Sequence, residues 1–329
     1  MAEAAPAVSV IIPSYKTTRY IADAIDSVLK QTFRDFEIIV VSDGCPDSAA
    51  LEEVLRRYGD SVRYIWQPNQ GTGIARNTAI LAARGTYILQ LDADDMLTPN
   101  CLESQVRLMR EHPEYDAAYC NSYNFAENSE AAERWRGFDG KLYMELYPST
   151  GPVTFCSIME SRTPPRVLGS ILRRDTVLRV GMHDDKERFA EDLDLWLRIL
   201  KADPPGRIGY TDEPLGHYRL RHDNYTLDLG YPNRLLAVFE KAGRTFKLTE
   251  EERACLDKRI AKNRFDVEMF SGKRAIHEQR WKDAIRHYEY CYSYTRELKY
   301  RAALAALKLC PWALPPGLRL LGRYGRAGN

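Results

Sequence analysis

Four consecutive residues, Asp92-Ala93-Asp94-Asp95, set three carboxylates directly after the apolar run Tyr87-Ile88-Leu89-Gln90-Leu91. Like charges a few ångströms apart repel, so such a run takes up a proton or binds a cation. Hard divalent cations such as Mg2+ or Mn2+ prefer oxygen ligands and commonly sit between a few carboxylates and substrate phosphates. There they serve as Lewis acids for a leaving group. The side-chain period of an extended segment is two, which puts Asp92 and Asp94 on one side. A solvated acidic turn ahead of the helix that begins near Pro99 explains the same residues, and the run alone does not separate the two readings.

Other residues of chemical type fall at comparable places. Asp43 ends the apolar stretch Glu37-Ile38-Ile39-Val40-Val41, just before Gly44. Gly71, Gly73, Arg76 and Asn77 precede and open a helical pattern, and a helix N-terminus offers free N–H groups and a positive dipole end to phosphate. Glu191-Asp192 opens another helix, where acids also suit a first turn. His222 follows Tyr218-Arg219, with Arg221 beside it, and guanidinium groups bind phosphate well.

Positioning these residues takes alternating elements. Val8–Ile12, Glu37–Val41, Val62–Trp66 and Tyr87–Leu91 are short apolar runs that predict buried strands, and helical spacing fills Arg19–Gln31, Ala49–Tyr58 and Gly73–Ala83 between them. Strand–helix alternation of this kind predicts a mostly parallel sheet with helices on both faces, and the ligand outside the carboxyl ends of the strands. Residues 100–112 predict a helix and 116–120 a strand. The stretch 126–165, polar, aromatic and proline-bearing, predicts a loop-rich region near the substrate. Helix returns over 190–201. Past residue 230 the pattern turns helical over 233–247, 250–271 and 273–295, and Gln279–Ile285 with Tyr288 resembles one hairpin of a helical repeat array without a second copy.

A chain of 329 residues, 44% hydrophobic, can bury a sizeable core, and a net charge of +1 gives no global attraction to nucleic acid. No CxxC pair or Cys/His cluster has zinc spacing, and neither GxGxxG after the first strand nor a Walker GxxxxGK[ST] is present. No stretch reaches the roughly 18–20 apolar residues needed to span a bilayer, and Pro13 and Lys16 interrupt the first apolar run. The expected location is cytoplasmic, or peripheral at the inner face of a membrane.

In chain order, Val8–Tyr15, Ala24–Phe33, Phe36–Gly44, Asn69-Gln70-Gly71, Ala75-Arg76-Asn77, Leu91–Asp95, Gly181–Asp184, Glu191–Arg198, Tyr218-Arg219 and His222 resemble the inverting glycosyltransferases of family 2, which have the GT-A fold. The resemblance covers roughly residues 8–225. It implies an α/β, Rossmann-like GT-A catalytic domain over 1–230 and a helical C-terminal extension over 231–329. It implies transfer of a sugar from a nucleoside-diphosphate sugar, a UDP-sugar first, to a hydroxyl of a glycan, lipid-linked or cell-surface polysaccharide acceptor, with Mg2+ or Mn2+. By the same resemblance Pro13 and Tyr15 face base and ribose, Asp43 accepts from the base, and Arg76, Asn77 and Asp92 lie at the nucleotide. Asp94 is the direct metal ligand, His222 an additional ligand, and Asp192 the general base. Ser42 stands where the family often has a second acid, which leaves the base preference open. A catalytically inactive nucleotide-binding platform for the helical tail, or another α/β nucleotide-dependent transferase, is the competing reading. The basic, leucine-rich segment 295–329 fits peripheral contact with an anionic membrane face, and equally a terminal helix packed on the body.

Overall fold

A computed structural model describes residues 5–163, 165–186, 190–224 and 231–309. The chain divides into two compact units, the first of residues 1–222 with 245–252, the second of 223–244 with 253–329.

The first unit is built on a sheet whose strand order is β3-β2-β1-β4-β7-β6-β8-β5. Its parallel half uses β1 (Val8–Ser14), β2 (Phe36–Asp43), β3 (Arg63–Gln67) and β4 (Tyr87–Gln90). Every residue of β1 is buried, as a strand covered by helices on both faces requires. Val10 lies opposite Ile38 on one side and Leu89 on the other. The crossovers are α1 (Ile21–Leu29), α2 (Ser48–Arg56) and α3 (Thr72–Ala82). Helix α1 buries Ile21, Ala24, Ile25 and Val28, one stripe at helical spacing. Because β2 lies on one side of β1 and β4 on the other, the carboxyl end of β1 is a switch point of the topology, where ligands of open α/β sheets bind.

The other half of the sheet is mixed. After β5 (Met96–Leu97) and α4 (Cys101–Glu111) come β6 (Ala117–Ala126), β7 (Ile171–Arg173), α8 (Arg174–Arg179), α9 (Glu191–Leu200) and β8 (Ile208–Leu220). Strand β7 runs antiparallel to both β4 and β6, β5 runs antiparallel to β8, and β6 and β8 are parallel. The stretch expected to be loop holds three short helices, α5 (Ser129–Arg134), α6 (Tyr143–Leu146) and α7 (Phe155–Met159). Thr154 and Ser157 form a reciprocal capping box on α7, a local device that starts a helix where apolar periodicity is weak.

Two glycines are held by close approach. Gly44 has φ +64°, and a Cβ there would stand 2.6 Å from the Asn69 amide nitrogen. Gly85, between α3 and β4, would put a Cβ 2.6 Å from the Ser9 nitrogen, and its own N–H donates to Ser9 Oγ at 2.9 Å.

In the second unit, α10 (Tyr231–Thr245), α11 (Glu250–His277), α12 (Trp281–Thr295) and α13 (Leu298–Leu309) follow in order. Helix α11 runs unbroken through Gly272, where the sequence pattern placed a boundary. A Cβ at Gly272 would lie 2.8 Å from the Tyr288 ring, so the glycine serves the packing of α12 on α11. Ala275, Ile276, Ala284, Tyr288, Cys291 and Leu307 belong to this unit's core. Residues 310–329, most of the basic tail, lie outside the described residues. No helix among the described residues is long and apolar enough to cross a membrane.

Backbone cannot retreat from the Gly85 contact as a flexible side chain could. Gly85→Ala should therefore cost about 1–3 kcal/mol through overpacking. The check is the urea midpoint, which should fall while the slope of the transition stays constant; an unchanged midpoint would show that the Ser9 strand end yields.

Candidate active site

The special residues gather at the carboxyl edge of the parallel strands. Pro13 is buried near the end of β1, and Tyr15, just beyond that strand, exposes 41% of its surface, with Lys16 Nζ 5.1 Å from its ring centre. Lys16 takes a left-handed φ of 57° and donates its N–H to Cys45 Sγ at 3.1 Å. Asp43, the last residue of β2, is buried and accepts three hydrogen bonds from the next loop. Its Oδ1 accepts from Gln67 Nε2 at 2.8 Å and the Gln70 N–H at 2.9 Å, and its Oδ2 from the Gly71 N–H at 2.8 Å. Asn69 Nδ2 donates to the Asp43 carbonyl at 2.9 Å. Asp43 thus shapes the entry to α3, which spacing alone did not reveal.

The acidic run is pinned on both sides. Upstream it leaves β4; downstream Met96 and Leu97 pair with His217 and Gly216 of β8. The Asp95 N–H donates to the Asp92 carbonyl at 3.0 Å, closing a turn. Arginine side chains answer two of the acids, Asp92 and Asp94. Asp92 Oδ1 accepts from Arg76 Nη2 at 2.6 Å. Asp94 Oδ2 lies 3.0 Å from Arg221 Nη1, and its carbonyl accepts from Arg219 Nε at 2.8 Å. Asp95 Oδ1 accepts the Arg219 N–H at 2.8 Å, while its buried Oδ2 has no hydrogen-bond partner. Burial raises the Asp94 pKa to about 6; Arg221 pulls it down and Asp92 pushes it up. Burial first, then Asp94 and Asp92, drives the Asp95 pKa well above its ordinary value.

Arg76, on α3, is 3% exposed and spans two elements. Its Nη1 lies 2.6 Å from Glu191 Oε1 at the head of α9, opposite the bond to Asp92. Burial works against the guanidinium charge, but Asp92, Glu191 and Asp192 outweigh it. Asn77, one residue on, clasps the backbone of His183: its Nδ2 donates to the His183 carbonyl at 2.7 Å and its Oδ1 accepts the His183 N–H at 2.9 Å. The His183 ring is buried, and burial with Arg76 nearby lowers its pKa to about 3, so it is neutral. Asp192, half-buried in the first turn of α9, has its pKa raised by burial, opposed by Arg76 and assisted by Asp92.

His222 does not join Asp94. It exposes 44% of its side chain, and its Nδ1 lies 3.5 Å from Glu127 Oε1. Glu127 also accepts from the Tyr20 hydroxyl, and the Tyr20 ring lies under both Arg219 and Arg221. Among the described residues no three His, Cys, Asp or Glu side chains converge as a ready cation site. The donor set still suits one in part. Asp94 is a hard oxygen ligand whose charge burial opposes and a guanidinium already compensates, and Asp95 Oδ2 is unspent.

Glu191, Tyr143 and Arg166 were not anticipated. The Arg166 guanidinium is sandwiched between the rings of Tyr218 at 3.8 Å and Tyr143 at 4.4 Å, and its Nη1 donates to Ser122 Oγ at 2.8 Å. Glu191 carried a signal, since it adjoins Asp192, but its partner lies 115 positions away. Arg166 and Tyr143 carried none, lying in a stretch with little periodicity.

A family model described as glycosyl transferase family 2 matches residues 9–164. An uncharacterized glycosyltransferase of Rickettsia felis is 32% identical over 205 residues, which are 60% of this chain and 32% of that protein, so the chain spans about a third of that relative's length. Among solved structures, S. aureus TarS 1–349 in complex with UDP-GlcNAc aligns with a TM-score of 0.61 at 19% identity, over 92% of this chain and 87% of that one. The mannosyltransferase PcManGT of Pyrobaculum calidifontis, in complex with GDP-Man and Mn2+, aligns at 0.59 and 17% identity, over 97% and 84%. At these identities the likeness is one of fold, and that fold is GT-A.

A carboxyl with a raised pKa keeps, in the folded chain, a proton that the unfolded chain has released. Its contribution to stability is therefore lost as pH rises from its unfolded value of 3.8 to about 6, and is flat beyond. Asp94→Asn should remove about 2 kcal/mol of the loss between pH 4.5 and 7, out of the roughly 3 kcal/mol that a shift of this size represents over the whole range. Urea melts of both proteins at pH 4.5 and 7 check this; parallel losses would mean that Asp94 does not carry the shift.

Proposed function

We propose, from the match of residues 9–164 to the glycosyl transferase family 2 model, that the protein moves a sugar from a nucleoside-diphosphate sugar, a UDP-sugar first, to an acceptor hydroxyl with inversion at the anomeric carbon. The observation that carries the reading is the gathering, on one edge of one sheet, of an exposed aromatic ring at Tyr15, a paired-acid loop at Asp92–Asp95 and a separate carboxylate at Asp192 within electrostatic reach of Asp92. An inverting displacement needs a base carboxylate apart from the groups that hold the donor. Residues 1–230 act as the catalytic domain and 231–329 as a helical extension.

In this reading Tyr15 and Pro13 wall the base and ribose. Asp43 holds the loop 67–71 in shape and offers its remaining lone pair to a base N–H. Asn77 fixes the segment before α9, and Asp92 meets the ribose or a cation-bound water. Mg2+ or Mn2+ would rest on Asp94 together with the donor's own phosphate oxygens, and would supply Lewis-acid stabilisation of the departing diphosphate. His222 would join it only by leaving Glu127. Arg221, now on Asp94, is placed to take up phosphate charge when a cation claims that carboxylate, because a guanidinium matches phosphate geometry.

Asp192 accepts the proton of the acceptor hydroxyl as its oxygen forms a bond to the anomeric carbon and the bond from that carbon to the diphosphate breaks. Such base assistance is worth about 100- to 10,000-fold. The acceptor is a glycan, lipid-linked or cell-surface polysaccharide hydroxyl, reached at the inner face of the membrane. The donor classes named for TarS and PcManGT, UDP-GlcNAc and GDP-Man, make the first panel to test.

Ligands that bind only the native state raise its apparent stability. UDP-sugars should raise the melting temperature, more with Mn2+ than without; no shift with any nucleotide sugar would sink the reading. Asp94→Ala should remove the Mn2+-dependent part of UDP binding in calorimetry. Asp192→Asn should bind UDP as the parent does and lose transfer by at least about 100-fold. Transfer near the parent rate would place the base elsewhere.

A further inference from the structure

Arg76 belongs to the segment that the family resemblance sets at the nucleotide, yet it is buried and has spent its terminal nitrogens on two carboxylates of different elements. We propose that Arg76 is a positioning residue for the base: one guanidinium locks the acidic loop to the head of α9, fixing the place of Asp192 and supplying the positive charge that keeps it ionised. The inference rests on the reading of Asp192 as general base.

Three independent contacts of α3 support it. Arg76 bridges Asp92 and Glu191 at 2.6 Å each. Asn77 holds the backbone of His183 by two hydrogen bonds. Gly73, one turn earlier, lets α9 approach so closely that a Cβ would stand 3.2 Å from Glu191 Cγ and 3.5 Å from His183 Cβ. A helix touching the segment before α9 and the first residue of α9 sets where Asp192 points. A bidentate guanidinium does this better than an ammonium, because its fork fixes direction as well as distance.

The charge argument runs in the same direction. The groups acting on Asp192 are Arg76 from α3, Asp92 from the loop after β4, Glu191 from its own helix and Tyr143 from α6. Burial and Asp92 oppose ionisation of Asp192, and Arg76 is the cation that favours it. A base must be ionised to accept a proton, so removing that cation should move the acidic limb of the rate profile toward higher pH. Glu191 and Asp92 share the charge of Arg76, which gives a second handle: neutralising Glu191 leaves more of it for Asp192 and moves the limb the other way.

The test compares Arg76→Met, Arg76→Lys and Glu191→Gln with the parent, using UDP binding by calorimetry and UDP released from UDP-GlcNAc, or from whichever UDP-sugar stabilises the parent most, as a function of pH. Arg76→Met is expected to bind UDP within about 3-fold of the parent, a change of well under the tenfold that 1.4 kcal/mol represents. Its turnover should fall about 100-fold or more at pH 7, with the acidic limb raised by about one unit. Arg76→Lys should return the limb toward its parental position while recovering only part of the turnover, and Glu191→Gln should lower the limb. Loss of UDP binding in Arg76→Met would make Arg76 a donor ligand and overturn the proposal. A fall in turnover with an unmoved limb and no return in the lysine variant would reduce Arg76 to packing and overturn it equally. If the methionine variant does not fold, Glu191→Gln and Arg76→Lys decide alone, an unmoved limb in both counting against. A parent that releases no UDP from any nucleotide sugar would instead refute the transferase reading itself.

Discussion

Crowded negative charge at the end of β4 is the constraint around which the first unit is arranged. Asp92, Asp94 and Asp95 fall within four residues of chain, and burial makes the ionisation of Asp94 and Asp95 costly. The protein answers with arginines drawn from distant parts of the sequence: Arg76 from α3, Arg219 from β8 and Arg221 just after it. The guanidiniums of Arg76 and Arg221 meet Asp92 and Asp94, while Arg219 holds the turn through its backbone N–H on Asp95 and its Nε on the Asp94 carbonyl. The β5–β8 pairing then prevents the run from swinging into water to relieve its own repulsion.

The second consequence of that arrangement is that counter-charge is shared. Arg76 serves Asp92 and Glu191 at once, and Arg219 binds the backbone of the acidic turn while its Nη2 meets Asp23 at 2.8 Å. Buried charged groups coupled in this way titrate as a set, not one by one. The protonation of Asp192 and the charge on the acidic loop are therefore parts of one electrostatic balance.

Much of the parallel half was legible because its strands are buried on both faces and read as continuous apolar runs, from Val8–Ile12 to Tyr87–Leu91. The strand ends followed at once, and with them Asp43 and the acidic run. Strand β8 was not legible. Ile208–Leu220 carries Gly209, Asp212, Glu213, Pro214 and Gly216, and its register against β6 shifts around Asn121, which is where a strand tolerates proline. The one-turn helices of residues 129–159 were missed for another reason: they are too short to be stable through propensity and depend on tertiary contacts. The partner of Arg76 escaped because an ion pair across 115 residues leaves no local pattern, whereas the helix that carries Arg76 does. Asp43 was legible as a strand-end acid, but not as the acceptor that shapes the following loop.

Helix α3 has a bearing on how such a protein can diverge. Within five positions it carries Gly73, Arg76 and Asn77, which together touch the acidic loop and the head of α9 with the segment before it. A substitution there is pleiotropic, since no change on one flank is free of effect on the other. Of the short helices that follow β6, α5 and α7 start on their own side-chain caps and carry no such double duty. New specificities are therefore more accessible to a lineage through the segment 127–160 than through α3, and the most innovation-prone part of the fold is the part with the least pattern of its own.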